Sequence, residues 1–259
     1  MDAAEQLKLK GGGQFCWLRL ADECSGAILA TEVFAAARWA TVPDTQTQQA
    51  LRECMARWGC PQAVRVDNGI PWGTSGGLPS RLSLWLAGLG VAMHWNEPYR
   101  PQQNGVVEST QRVSQRWVYP AGCADLEEVR QRLRREDWVQ REEYPAVDGR
   151  SRRQAYPALL HSGRGYSRGW EEAVWDPGLA LRLLARYQMR RKVSGRGQVS
   201  MYHRLIEVGR DRAGTWVYVG MDAEAVEWVI REVNGREVRR RPAPQFTPEA
   251  LCRLAVAGR

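Results

Sequence analysis

Residues 64–72 read Val-Arg-Val-Asp-Asn-Gly-Ile-Pro-Trp, a short apolar run that leads directly into an Asp-Asn-Gly turn. Alternating β-branched residues predict a strand over 63–66, and the triplet that follows predicts a tight turn. Asp67 therefore lies at the end of a strand. An isolated Asp-Asn-Gly is usually only a turn, so the importance of Asp67 depends on the rest of the chain.

A second informative stretch, residues 99–108, reads Tyr-Arg-Pro-Gln-Gln-Asn-Gly-Val-Val-Glu. The prolines predict a rigid loop, and a helix is predicted from about 104 to 117, with Glu108 in its first turns. A glutamate there also complements the helix dipole. A third carboxylate, Asp2, lies on a possible first strand over 2–8, which the chain barely contains. Acidic groups at strand ends and a helix start can converge at one sheet edge and hold divalent cations.

Outward from these stretches, the hydrophobic pattern alternates between strands and helices. Strands are predicted over 14–20, 26–34 and 91–95, and helices over 44–58, over 80–89 and from Asp125 onward. Asp22, Ser25 and Gly26 predict a hairpin turn between the first two strands, and Asp125 with Glu128 predicts a capping box at the start of the last helix. A hairpin followed by alternating helices and strands indicates an α/β fold, and its order matches a ribonuclease-H-like mixed-sheet core. Residues 150–169, rich in Arg, Gly and Ser, predict an extended connector, and short strand-like runs between 190 and 241 predict a small all-β barrel.

These patterns divide the chain into a core over 1–147, a connector over 148–189, the barrel over 190–245 and a tail over 246–259. Charge follows the same division, since residues 1–147 carry a net charge of −1 and residues 148–259 a net charge of +9. A basic second half suits an anionic partner, most commonly nucleic acid.

Composition excludes several other classes of protein. With 259 residues, 44% of them hydrophobic and 25% charged, the sequence is that of an ordinary globular chain. It contains no apolar run long enough for a membrane span and no secretory signal, so a cytoplasmic location is expected. The six cysteines form no Cys-x-x-Cys pair, which favours reduced thiols over structural zinc.

Three segments together resemble the catalytic core of bacterial insertion-sequence transposases in the DDE and retroviral integrase superfamily. Residues 64–72 resemble the motif of its second aspartate, and residues 99–108 that of its third carboxylate, with the Pro-Gln and Asn-Gly-x-x-Glu pattern. Residues 1–3 and 19–26 resemble the first-aspartate strand and the hairpin after it. The resemblance covers about residues 1–145, and residues 190–200 resemble the β-barrel of Mu-type transposases.

The resemblance implies an enzyme that cuts DNA and transfers strands during transposition. Asp2, Asp67 and Glu108 would be both the catalytic residues and the ligands of two Mg²⁺ or Mn²⁺ ions, the usual arrangement for in-line phosphoryl displacement. The partners would be transposon ends and target DNA, bound by a homo-multimer near the bacterial nucleoid. The expected DNA contacts are Arg100, Gln103, Asn104, Arg112, Arg116, Arg190, Arg191, Lys192, Arg239, Arg240 and Arg241. For Arg112, an ordinary helix pair with Glu108 is the alternative to a phosphate contact. On another face of the same predicted helix, the residues suited to the core are Val107, Thr110, Val113 and Trp117.

The chain also departs from the family pattern. The interval between Asp67 and Glu108 is longer than usual, and Gln115 stands where many relatives carry a basic residue. The helix-turn-helix modules that normally precede the core are missing, which suggests either a misplaced start or a decayed gene. Two alternatives therefore remain open: an inactive remnant that only binds DNA, and a ribonuclease-H-like nuclease that does not transpose.

Overall fold

The computed structural model describes residues 1–73, 77–97 and 105–256, and within it the chain forms two compact units. The first comprises Met1–Asn68 and Met93–Trp170, and the second comprises Gly69–Ala92 and Glu171–Arg259. The described structure is mixed α/β, with several sheets and eight α-helices. None of its helices is both long and apolar enough to cross a membrane.

The first unit is built around an antiparallel sheet of β1 (Asp2–Lys8), β2 (Gln14–Ala21) and β3 (Ile28–Phe34), with β2 in the middle. The predicted hairpin is confirmed. Asp22 shapes its turn, since its carboxylate accepts hydrogen bonds from the Ser25 backbone N–H and hydroxyl at 2.8 and 2.6 Å. The chain also forms the full first strand, which the sequence barely suggested.

Three longer helices complete the first unit: α1 (Asp44–Trp58), α3 (Gly105–Val118) and α4 (Leu126–Glu142). The α1 bounds are those predicted. As predicted, Asp125 caps α4 by accepting a hydrogen bond from the Glu128 backbone N–H at 2.9 Å. The strands β4 (Ala63–Val66) and β5 (Ala92–Trp95) form a separate two-stranded sheet. Helices α3 and α4 pack against the sheet of β1, β2 and β3 in a buried core that consists of Ala4, Phe15, Trp17, Val33, Val118, Cys123, Val129 and Leu133.

Short helices occupy part of the region predicted to be an extended connector. These are α5 (Arg152–Ala155) and α6 (Arg168–Val174), followed by α7 (Pro177–Ala185). The α5 turn forms because Ser151 and Gln154 make a capping box, in which each side chain accepts the other's backbone N–H. Capping at one residue can thus stabilise a helical turn in a segment whose overall composition suggests a loop.

The second unit combines helices with antiparallel strands. Its helix α2 (Arg81–Gly88) is buried almost throughout and packs against α7 and the terminal α8 (Pro248–Cys252). Its strands are β6 (Gln188–Lys192), β7 (Gln198–Met201), β8 (Arg204–Glu207), β9 (Trp216–Asp222), β10 (Glu227–Glu232) and β11 (Glu237–Pro242). They form a four-stranded sheet, ordered β11-β10-β9-β6, and a β7-β8 hairpin. The short strands were predicted, while their closure into a barrel stays a prediction.

Candidate active site

Asp2 is held in place by a buried glutamine from α3. The Gln111 side-chain N–H₂ donates a hydrogen bond to the Asp2 carboxylate at 2.8 Å, and its carbonyl accepts one from the Trp17 indole at 2.7 Å. Gln111 and Trp17 are 4% and 0% exposed. Because a buried amide with both ends bonded cannot rotate freely, Gln111 fixes where the Asp2 carboxylate lies.

Asp67 is positioned by hydrogen bonds around the end of β4. The Asn96 backbone N–H donates to the Val66 carbonyl at 3.0 Å, and the Asn68 side chain donates to the Asn96 carbonyl at 2.7 Å. The Met1 ammonium donates to the Arg65 carbonyl at 2.8 Å. These bonds bring the start of β1 beside the end of β4, and thereby Asp2 into the neighbourhood of Asp67.

The hydrogen bonds and the charges around Asp2 together place the three predicted carboxylates in one region. Burial raises the pKa of Asp2, the Met1 ammonium lowers it, and the negative charges of Asp67 and Glu108 raise it further. The residues come from a strand, a turn and a helix that are far apart in sequence. The fold therefore gathers three carboxylates whose mutual repulsion a bound cation would relieve.

Oxygen ligands of this kind suit Mg²⁺ or Mn²⁺. The arrangement is nevertheless not a closed metal centre, because no three His, Cys, Asp or Glu side chains of the described residues lie close enough together to hold an ion. Asp67 and Glu108 are exposed, whereas Asp2 is partly buried. The donor chemistry fits a divalent cation, and a complete ligand set would require the three carboxylates to come closer together.

The helix α3 presents Glu108, Arg112, Gln115 and Arg116 to solvent. No ion pair joins Glu108 to Arg112 in the part of the chain that the structure describes, so the alternative of a simple helix pair is not supported. One prediction for α3 was wrong. Trp117 was assigned to the core, but it is 48% exposed and packs edge-on against Tyr144 at 5.6 Å. The buried positions are Val107, Thr110, Gln111, Ser114 and Val118.

A buried ion network, not anticipated from the sequence, fixes α3 against the sheet. Arg19 on β2 is 0% exposed and donates hydrogen bonds to the Thr110 carbonyl at 2.8 Å and to the Ser114 hydroxyl. It also forms ion pairs with Glu136 at 3.4 Å and Asp137 at 3.1 Å on α4. Burial raises the pKa of Glu136 to about 7, although Arg19 opposes the shift. The network thereby anchors the helix that carries Glu108 and Gln111.

The predicted DNA contacts differ in three respects: whether the structure describes them, whether they are exposed, and whether other groups of the protein already bind them. Arg100, Gln103 and Asn104 lie outside the described residues. In the second unit, Arg240 forms ion pairs with Asp222, Glu227 and Glu237 at 2.7, 3.6 and 2.8 Å, and Arg241 pairs with Glu207 at 3.6 Å. Arg191 donates to the Ser200 carbonyl at 3.3 Å, and Arg239 is only partly exposed. Arg190 and Lys192 are exposed.

Comparison with known proteins yields distant likenesses. No family model matches the chain. The catalytic core domain of BIV integrase is similar over 61% of this chain and 91% of its own, with 18% identity and a TM-score of 0.44. A chain of the simian T-cell lymphotropic virus intasome, solved in complex with the PP2A regulatory subunit B56 gamma, is similar over 64% of this chain and 54% of its own. Its identity is 17% and its TM-score 0.48. Such values are too low to assign the chain to a family.

Proposed function

We propose that this chain is a DDE-type polynucleotidyl transferase, a transposase that cuts DNA and joins strands through Asp2, Asp67 and Glu108. The observation that carries the proposal is the placement of Asp2: Gln111, on the helix that bears Glu108, donates a hydrogen bond to it, and the Met1–Arg65 hydrogen bond holds it beside the strand that leads into Asp67. Perturbed carboxylates that come together from separate elements are typical of functional sites. The order of the elements in the first unit is consistent with a ribonuclease-H-like core, and the second unit would supply a DNA-binding barrel.

Two divalent cations, when bound, would activate an attacking oxygen and stabilise the departing one. Asp2 would be the fixed ligand, because Gln111 already holds its carboxylate. Asp67 and Glu108, both exposed, would complete the ligand set. Arg112, one helical turn after Glu108, would contact a neighbouring phosphate. Transposon ends and target DNA would be the partners, bound by a homo-multimer in the bacterial cytoplasm.

The test is Mg²⁺- or Mn²⁺-dependent cleavage and joining on a pre-branched DNA substrate, which lessens the need for sequence recognition. Wild-type protein is expected to cleave and join DNA when the metal ion is present and to do neither in EDTA. Asp67→Asn and Glu108→Gln are expected to lose the activity, since each removes a charged ligand. Glu143→Gln, which changes an exposed carboxylate elsewhere in the unit, is the matched control and should remain active.

Two results would contradict the proposal. Full activity of Glu108→Gln would show that the Glu108 carboxylate takes no part in the mechanism. DNA binding without any metal-dependent chemistry in the wild-type protein would instead favour the inactive remnant. Cleavage without any strand joining would match the remaining alternative, a ribonuclease-H-like nuclease that does not transpose. The products of both reactions should therefore be resolved on the same gel.

Gln111→Ala tests whether the buried amide positions Asp2. We expect about 10- to 100-fold weaker metal affinity or activity, as is typical when a group supporting a metal ligand is removed. The measurement is the Mg²⁺ concentration for half-maximal activity, which a purely structural role would leave unchanged. Gln115→Ala, exposed on the same helix, is the control. An unchanged Mg²⁺ requirement in Gln111→Ala would exclude the positioning role.

A further inference from the structure

One face of the four-stranded sheet combines aromatic and basic side chains. In the strand register, Lys192 lies opposite Trp216, and Arg190 lies opposite Tyr218, which in turn faces Arg231. Directly opposed residues project to the same side of a sheet. Arg190, Lys192, Trp216, Tyr218 and Arg231 therefore share one surface, named here the aromatic–basic face.

The centre of this face is an exposed tryptophan stacked with an arginine. The Arg190 guanidinium lies 4.6 Å from the centroid of the Trp216 ring, and Trp216 is 44% exposed. The next side chains along β9 on the opposite side, Val217 and Val219, are 1% and 0% exposed. Trp216 thus contributes little to the core of its unit, and a planar ligand can reach the ring and the guanidinium plane.

Two cations of this face also differ from Arg240, which lies on β11 of the same sheet. Among the described residues, neither Arg190 nor Lys192 forms an ion pair with a carboxylate, whereas Arg240 pairs with three. Arg231 has one long contact, 3.8 Å, to Glu237. The positive charge at Arg190 and Lys192 is therefore available to an anion, and it lies beside an aromatic surface.

We propose that the aromatic–basic face binds single-stranded DNA, with an unpaired base stacked against Trp216 and Arg190 and adjacent phosphates bound by Arg190 and Lys192. Cationic grooves with aromatic platforms suit single strands, because every exposed base offers a flat face for stacking. In a duplex, those base faces are covered by their neighbours. The inference rests on the proposed function in taking DNA as the substrate, and it specifies an unpaired strand as the form bound here.

The experiment measures binding of the full chain to fluorescent oligonucleotides in EDTA, by anisotropy. The probes are a thymidine strand of about twelve nucleotides, an abasic strand of the same length and charge, and the corresponding duplex. Wild-type protein is expected to prefer the thymidine strand to both other probes. Trp216→Ala should bind the thymidine strand about 5- to 150-fold more weakly, the range expected for one stacked base, and should lose the preference over the abasic strand.

Matched variants separate stacking from charge and from folding. Trp216→Phe keeps a ring and should retain most of the binding, while Leu205→Ala, an exposed apolar control 67% accessible in the same unit, should bind as wild type. Arg190→Ala and Lys192→Ala should each make the slope of log affinity against log salt concentration shallower, by about the amount that one phosphate contact contributes. Arg204 is exposed on β8, and Arg204→Ala should leave the salt dependence of binding unchanged.

Equal binding of the thymidine and abasic strands by wild-type protein would overturn the inference, as would unchanged binding by Trp216→Ala. Preferential binding of the duplex would assign the face to double-stranded DNA instead and would also overturn it. Because these measurements contain no metal ion, they do not depend on Asp2, Asp67 or Glu108. Failure of the strand-binding inference is therefore distinguishable from failure of the proposed chemistry.

Discussion

Arg19→Met is expected to lower the free energy of unfolding by about 3–5 kcal/mol, the usual effect of leaving a buried charge without its partner. Arg19 is 0% exposed and is paired with Glu136 and Asp137, which are 5% and 7% exposed. Its removal would leave two carboxylates in the interior without their cation. It would also break the hydrogen bonds to Thr110 and Ser114 that join β2 to α3.

Urea denaturation of the wild-type and variant proteins measures this loss. Arg134→Met is the control, because Arg134 pairs with Glu127 at 3.0 Å on the surface, where both side chains are more than half exposed. Surface pairs contribute about 1 kcal/mol or less. If Arg19→Met destabilised the protein no more than Arg134→Met, the buried network would not be a major source of stability.

The same network predicts the sign of a pH effect. Because burial raises the pKa of Glu136 to about 7 from an ordinary value of 4.5, the native state binds this proton more tightly than the unfolded chain does. The contribution of Glu136 to stability should thus decrease as the pH rises from about 4.5 to about 7. In Arg19→Met the carboxylates lack their cation, so the deficit relative to wild type should become smaller toward acidic pH.

Local sequence signals predicted much of the first unit. The apolar spacing of α1, the Asp125 cap of α4 and the turn at Asp22 all act within a few residues, and each appears in the structure as expected. The short helix α5 was missed because a capping box at Ser151 outweighs the composition of the segment around it. Trp117 was misplaced because an aromatic residue at helical spacing fits either a core or an exposed aromatic pair.

The candidate site shows where sequence reasoning reaches its limit. Motif resemblance picked out Asp2, Asp67 and Glu108, but not Gln111 or Arg19. Gln111 contacts Trp17, which is 94 positions away in sequence, and Arg19 contacts Glu136 and Asp137, which are 117 and 118 positions away. A polar residue at a buried helical position could have marked Gln111, and a charge within the apolar run of β2 could have marked Arg19. Their partners depend on tertiary packing, which no local pattern encodes.

Asp2→Asn is expected to lower metal-dependent strand cleavage and joining by about 10³-fold, which corresponds to the several kcal/mol that a metal-held transition state contributes. Burial and the charges of Asp67 and Glu108 raise the pKa of Asp2, so the charged form is disfavoured in the metal-free protein. The neutral amide should relieve that penalty, while its carbonyl can still accept the hydrogen bond from Gln111. Metal-free Asp2→Asn should therefore be at least as stable as wild type.

Thermal unfolding with and without Mg²⁺ separates the two roles of Asp2. Wild-type protein should gain stability as Mg²⁺ is added, because a ligand that binds only the native state raises the melting temperature. Asp2→Asn should show little gain, whereas Glu143→Gln should respond as wild type. Loss of stability in metal-free Asp2→Asn would instead assign Asp2 a structural role. A carboxylate that weakens the empty fold and strengthens the metal-bound one is what a ligand position requires, since its charge is favourable only once a cation is present.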